Sequence, residues 1–276
     1  MTSPSMVRPP VVNGMFYPRD PSALRSEVSR LLRGVEHGAL KGKVRGLVSP
    51  HAGYMYSGPT AAHGYAQLQG ESYDIVAIIS PSHQEFFDGV SVYSGDAYRT
   101  PLGEVPVHVQ LREKLAQQAA CVEISERGHG QEHAIEVQLP FLQHVISGFS
   151  VLPIVIGNQD RTLCYELGKA LASVLRGQEY LLVASTDLSH YHSAVVANEL
   201  DGVVLDDIAR FDFAGLMTDL EGGKTEACGG GPVVAMLVAL DGLGVGHMRV
   251  LHHCNSGDVT GDSDRVVGYV SAAAYA

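Results

Sequence analysis

Two apolar runs in this 276-residue chain end in the same way. Val44–Ser49 is followed by Pro50-His51, and Asp74–Ser80 by Pro81-Ser82-His83. A third run, YLLVAS at 180–185, leads into Asp187, His190 and His192. Imidazoles and carboxylates are metal ligands and proton carriers at neutral pH. One such histidine is ordinarily a strand-end cap or a solvated loop residue, but three similar strand ends in one chain favour a shared polar site. Cys228, in KTEACGGGPVVAMLVALDGLG, precedes a glycine run and Pro232, which opens an apolar helix. The partial positive charge of a helix N-terminus favours thiolate, the form that ligates metal or attacks an electrophile. The plainer alternative is a small thiol beside a tight turn. HGQEHAIEVQLPFLQH places His129 and Glu132 in a loop, then His133 and Glu136 three apart at a helix start. That spacing puts His133 and Glu136 on one helical face, suited to acid/base work, to hydrogen bonding with a ligand, or simply to solvation.

These residues need elements to position them, and the spacing supplies a β/α alternation. Asp20 as N-cap, Pro21 at the first helical position, and Leu24, Val28, Leu31 and Leu32 at helical intervals predict an amphipathic surface helix. The strands predicted at 44–49 and 74–80, with a small-residue helix over 59–68 between them, outline a βαβ unit. An antiparallel piece is expected at 89–94, and helices over 109–119 and 134–145. Strand 150–156, a helix carrying Leu163, Leu167, Leu171 and Leu175, and strand 180–185 follow. The last third gives a helix before Phe211, a helix over 232–243, and strands 248–253 and 266–272. The expected architecture is α/β: a single three-layer α/β/α domain spanning 1–276, with a central mixed, partly parallel sheet and helices on both faces. In such sheets ligands bind beyond the carboxyl ends of the strands, where His51, His83 and Asp187 all fall.

Composition narrows the partners. Thirty acidic against 19 basic residues give a formal net charge of −11, and no Lys/Arg cluster is present to follow a phosphate backbone, so nucleic acid is not an expected partner. MTSPSMVRPPVVNG lacks the pattern of a signal peptide, and no segment approaches about 18 uninterrupted apolar residues, so a cytoplasmic location with no membrane association is expected. The four cysteines, Cys121, Cys164, Cys228 and Cys254, form no CxxC pair and are expected to be reduced thiols. Thirteen histidines are a further hint of metal or acid/base chemistry.

The ordered motifs NGMFYPRDP, SPHAGYMYSGPTAAHGY, SPSH, TPLGEVPV, HGQEHAIEVQLPFL, ASTDLSHY, ACGGGP and CNSGDVTGDSDRVVGYVSAAA resemble the Memo family across essentially the whole chain. Its eukaryotic members are named as mediators of ErbB-driven cell motility, and its prokaryotic members as AmmeMemoRadiSam system protein B. The resemblance implies the fold of class III extradiol dioxygenases, which hold non-haem iron with two histidines and a carboxylate. In the Memo family a cysteine stands in place of that carboxylate. Carried onto this chain, the metal ligands are His51, His83 and Cys228, with Asp187 and His190 lining the same pocket. Fe(II) is the expected metal, with Cu or Zn as alternatives, since two imidazoles and a thiolate form a softer set than two imidazoles and a carboxylate. The same substitution argues against ring cleavage.

The leading expectation is therefore a metal-dependent redox enzyme acting on a small molecule or peptide. His190 would be the proton donor and acceptor, Asp187 its orienting group, and His133 and Glu136 further pocket residues. Two alternatives remain: a peptide or phosphopeptide adaptor, weakened by the lack of an arginine pair near these motifs, and a metal-free hydrolase with Cys228 as nucleophile, a pocket histidine as base and Asp187 as orienter. The prokaryotic family name implies association with AMMECR-type and radical SAM proteins.

Overall fold

Ile75–Pro81 reads IVAIISP, and all seven residues are buried, as a strand covered on both faces requires. In the computed structural model, which describes residues 6–38 and 40–276, this strand lies inside a nine-stranded sheet. Residues 1–5, part of the stretch read above as lacking a leader, lie outside the described residues. In chain order the strands are β1 (Val7–Arg8), β2 (Val44–Ser49), β3 (Ile75–Pro81), β4 (Val90–Tyr93), β5 (Ala97–Thr100), β6 (Gly103–Pro106), β7 (Val122–Ser125), β8 (Ser150–Ile156), β9 (Tyr180–Ser185), β10 (His190–His192), β11 (His247–Asn255) and β12 (Val266–Tyr275). The large sheet runs β10-β12-β2-β9-β3-β8-β4-β7, with β11 also paired to β12, while β1, β5 and β6 form a small separate sheet. Strands β2, β9, β3 and β8 are mutually parallel; β4 and β12 run antiparallel to β8 and β2.

Alternation along the central strands divides the apolar interior in two. Ile75, Ala77, Ile79, Leu182 and Ala184 face one core, shared with Leu167 and Leu171 of α5 (Arg161–Leu175) and with α8 (Gly230–Gly242). Val76, Ile78, Leu181 and Val183 face the other, shared with α1 (Pro21–Leu32), α2 (Tyr54–Ala66) and α4 (Leu139–Val145). Helices α3 (Val109–Gln118), α6 (Ala194–Ala209) and α7 (Phe213–Glu221) add to the first layer, and α9 (Gly257–Thr260) is a single turn after β11. The three-layer α/β/α architecture with a mixed sheet is thus the observed one. Among the described residues no helix is long and apolar enough to cross a membrane.

Two elements differ from their expected form. Helix α2 begins at Tyr54, five residues ahead of Pro59, and carries that proline inside it. Its small residues bring it close to the sheet: a Cβ on Gly64 would lie 2.7 Å from Ser271 Oγ. The expected helix over 134–145 is instead a 3₁₀ turn, Glu136–Gln138, running into α4, whose first turn contains Pro140. His133 lies outside the regular helix, its carbonyl accepting the Val137 N–H (3.0 Å) at the opening of this turn, and its ring and the Glu136 side chain go to different neighbours.

Glu136 instead belongs to a buried network that ties the N-terminal segment to the 126–138 loop. Its carboxylate accepts hydrogen bonds from Arg8 Nη1, from Tyr17 Oη, and from the backbone N–H groups of Val11 (2.8 Å) and Val12 (3.1 Å). Arg8 also donates to the carbonyls of Glu132 and His129. His129 is wholly buried; its Nε2–H donates to the Ser91 carbonyl (3.2 Å) and its Nδ1 accepts from Tyr98 Oη (2.7 Å). Burial holds this imidazole down at about 3.

Two outcomes follow from this network. Arg8→Ala leaves the buried Glu136 carboxylate uncompensated and should lower the unfolding free energy in urea by about 3–5 kcal/mol. For His129, the unfolded chain takes up a proton below pH 6.5 while the folded chain resists doing so until about 3. This group's stabilising contribution is therefore full above 6.5 and falls with pH across that window, by up to about 1.4 kcal/mol per unit. Urea titrations across it should give a shallower pH dependence for His129→Gln than for the unaltered chain.

Candidate metal centre

Register brings the strand ends to one level. Ser49 of β2 pairs with Ser185 of β9, and Ala184 pairs with Ile79 of β3. His51 and Asp187 thus each stand two residues beyond the paired serines, and His83 emerges from the next strand. Pro81 is the last residue of β3 and still pairs with Ile156; on the β9 side, pairing has already ended at Ile79, where a missing N–H costs nothing. Cys228 comes from the turn before α8. Its N–H donates to the Asp187 carbonyl (3.2 Å) and the Asp187 N–H donates to its Sγ (3.2 Å). A Cβ on Gly229 would lie 2.2 Å from the Ser185 carbonyl oxygen, so glycine is what lets this turn close onto the end of β9. Gln159 fixes the turn from the other side, donating to the Cys228 carbonyl and accepting from the Gly231 N–H, each at 2.8 Å.

The hydrogen bonds define which nitrogen each histidine presents. Ser185 Oγ donates its single proton to the Ala134 carbonyl (2.8 Å) and accepts from Gln138 Nε2 (2.8 Å). His51 Nδ1, 2.9 Å from the same oxygen, must therefore be the donor, which leaves the Nε2 lone pair facing Cys228 Sγ at 3.2 Å. His83 is fixed by Glu132: its backbone N–H and its Nδ1 both lie on that carboxylate, at 2.7 Å and 3.0–3.1 Å, so Nε2 is its open nitrogen. One donor atom each from His51, His83 and Cys228 lies within 4.8 Å of the others. An imidazole whose far nitrogen is held by a hydroxyl or carboxylate is oriented for metal binding and made more basic.

The electrostatics match this arrangement. Burial, reinforced by His83, His133 and His190, holds the His51 imidazole well below its usual range and therefore neutral. Burial, together with the nearby Asp187 charge, pushes the Cys228 thiol up. Burial also raises the Asp187 carboxyl, to about 6. Glu132 goes the other way: its burial is outweighed by hydrogen bonds from His83 and from backbone N–H groups, which bring it below the usual carboxylate range. In return Glu132 raises His83 despite that ring's own desolvation. A divalent cation would offset the burial of the thiolate and displace the proton that Glu132 favours on His83, so a neutral His51 ring, the His83 ring and a desolvated thiol fit a metal ion of the Fe, Cu or Zn type.

The other expected pocket residues divide. His133 is present, its ring stacked on His83 (centroids 5.2 Å apart) and edge-on to His51 (5.5 Å) and Phe16 (4.9 Å). His190 is near enough for its charge to act on His51 and Asp187, but its Nδ1–H donates to the Leu188 carbonyl (2.7 Å). Asp187 spends Oδ1 on the His51 backbone N–H (2.8 Å), so it shapes the His51 loop and does not orient His190. Glu136 is turned away into the Arg8 network, which corrects its expected place in the pocket. His192 pairs at the surface with Glu226 (2.8 Å), and His129 is buried elsewhere. Ser185 and Gln138, which position the His51 ring, were not singled out by spacing, and Glu132, which holds His83, was placed in a loop without a role.

Comparison with known proteins agrees over nearly the whole chain. The family described as Memo-like protein matches residues 8–273. A MEMO1 family protein of Methanosarcina mazei is 41% identical over 268 residues, covering 96% of this chain and 98% of its own. One from Methanothermobacter thermautotrophicus is 35% identical over 277 residues, covering 96% and 99%. The crystal structure of an uncharacterized protein of Escherichia coli K12 superposes with a TM-score of 0.53 at 15% identity, covering 83% of this chain and 99% of its own, and shares the fold.

Ser185→Ala removes the acceptor of His51 Nδ1–H and should weaken Zn²⁺ binding by roughly 10- to 100-fold in calorimetry. An unchanged affinity would show that Ser185 does not set the ring.

Proposed function

This chain belongs to the Memo-like protein family, and on that footing we propose that His51, His83 and Cys228 hold a metal ion serving a redox reaction on a small molecule or peptide. Fe(II) is the ion proposed, with Cu or Zn as alternatives. The observation that carries the reading is the convergence of three donors within 4.8 Å, with the far nitrogen of each imidazole already engaged. The ion, when bound, supplies Lewis acidity and a site for electron transfer. The chain's own part is to orient and to carry protons. Ser185 and Glu132 aim the two rings, and the Asp187 N–H donating to Cys228 Sγ stabilises negative charge on the sulfur. His190, with Nδ1–H fixed on Leu188, offers Nε2 as the proton-carrying nitrogen, and Asp187 supplies a second proton-exchanging group beside His51. A cysteine where dioxygenases place a carboxylate keeps ring cleavage out of the proposal.

One observation favours a second reading: Cys228 Sγ and His51 Nε2 are 3.2 Å apart, the reach a metal-free thiol–imidazole nucleophile needs. Burial acts against it, since it disfavours both thiolate and imidazolium, and Ser185 rather than an acid holds His51 Nδ1. A phosphopeptide reader fits less well still, because Glu132 and Asp187 surround the site and Arg8 is spent on Glu136.

Protein reconstituted anaerobically with Fe(II) and desalted should retain at least one equivalent, and the metal should protect Cys228 from iodoacetamide. His51→Ala should lose both the Cys228-bound metal and the protection. Alkylation of Cys228 indifferent to added metal would overturn this reading in favour of the thiol nucleophile.

A further inference from the structure

His83 has a second side. While its Nε2 faces His51 and Cys228, its Nδ1 lies 3.0 and 3.1 Å from the two Glu132 oxygens, and His133 Nδ1 lies 3.4 Å from Glu132 Oε1. One donor atom from each of His83, Glu132 and His133 falls within 4.8 Å of the others. Ligands bound to one small divalent ion at about 2.0–2.2 Å lie roughly 3.0–3.5 Å from each other. Both imidazoles already stand at that spacing from Glu132, all three donor atoms lie within 4.8 Å, and two imidazoles with a carboxylate suit Zn or Fe(II).

The surroundings of Glu132 point the same way. Its carboxylate is 2% exposed by residue, and the ionisable groups on it are the two imidazoles of His83 and His133. Arg8 reaches only its main-chain carbonyl and spends its charge on Glu136. A buried carboxylate normally faces a fixed cation. A carboxylate offers about four acceptor positions. The backbone N–H groups of His83 (2.7 Å), His133 (2.9 Å) and Ala134 (2.9 Å) take three of them and hold the group rigid. The fourth is directed to the His83 ring.

We propose that Glu132, His133 and His83 Nδ1 form a second divalent-cation site, bridged through the His83 ring to the His51–His83–Cys228 centre. The proposal rests on the first centre only for the use of His83 Nε2. An entering cation replaces the hydrogen on His83 Nδ1, and that proton leaves to solvent; no bond other than N–H is broken. Charge then balances: Glu132, Asp187, the Cys228 thiolate and the bridging ring carry four negative charges against two divalent ions.

The test is an anaerobic Co²⁺ titration of the apo full-length chain, following both stoichiometry and thiolate-to-metal charge-transfer absorption. Two equivalents are expected, of which only one contributes the thiolate band. His133→Ala should bind one equivalent with that band intact, and Cys228→Ala one equivalent without it, each checked for folding by circular dichroism. Unaltered protein that saturates at one equivalent, with the thiolate band and no change in His133→Ala, would overturn the second site and leave the first standing. A single equivalent lost in His133→Ala but kept in Cys228→Ala would instead overturn the first ligand set. Should His133→Ala fail to fold, the stoichiometry of the unaltered chain decides the matter.

Discussion

The parallel pairing of β9 with β2 on one side and β3 on the other is the constraint from which the site follows. Backbone N–H and C=O groups inside a sheet must pair, so the register of these strands is held by many hydrogen bonds at once and cannot slip by a single residue without turning every side chain to the wrong core. Ser49 level with Ser185, and Ile79 level with Ala184, put three chain exits side by side at one edge of a rigid slab. The imidazoles converge because the strands do. Cys228 joins them by a different means, through main-chain hydrogen bonds to Asp187 and a glycine that lets two backbones approach.

A second layer of order comes from the far side of the loop between β7 and α4. That segment has little regular structure of its own, yet it supplies Glu132 and His133. It is held by the Arg8–Glu136 pair, by Tyr17, and by the two backbone N–H groups of Val11 and Val12. A buried pair of this kind adds little net stability over an apolar pair, but it fixes one conformation strongly, because each member is costly to strand alone. The first dozen described residues thus help set the geometry of a site that lies more than a hundred residues further along the chain.

Much of this could be read in advance. Buried strands betray themselves by unbroken apolar runs, and residues just past them in an α/β pattern fall at the binding edge, so His51, His83 and Asp187 were legible from local sequence. Cys228 was legible from the glycine run and Pro232 beside it. The partners of those residues were not. Glu132 looks like any loop acid, and nothing in YLLVAS marks Ser185 as the acceptor that sets a ring more than 130 residues away. Glu136 shows the opposite failure: the His-x-x-Glu spacing implied a helical face, but the chain there forms a 3₁₀ turn ahead of α4 and the acid turns toward Arg8. Long-range hydrogen bonding and the exact onset of a helix are decided by packing, which local spacing does not contain.

The two converging imidazoles differ sharply in access: the His51 side chain is 3% exposed and that of His83 28%. His51 sits on the end of a core strand under a closed hydrogen-bond chain through Ser185 and Gln138 to Tyr65. His83 leads directly into an exposed loop that ends near Phe86, itself 84% exposed. Ion exchange at the proposed centre would be directional. The outer imidazole would be met first on arrival and released last on departure, so the rate at which an ion is traded with a chelator or another protein would be set by the loop around His83, and the affinity by buried His51 and half-buried Cys228 behind it.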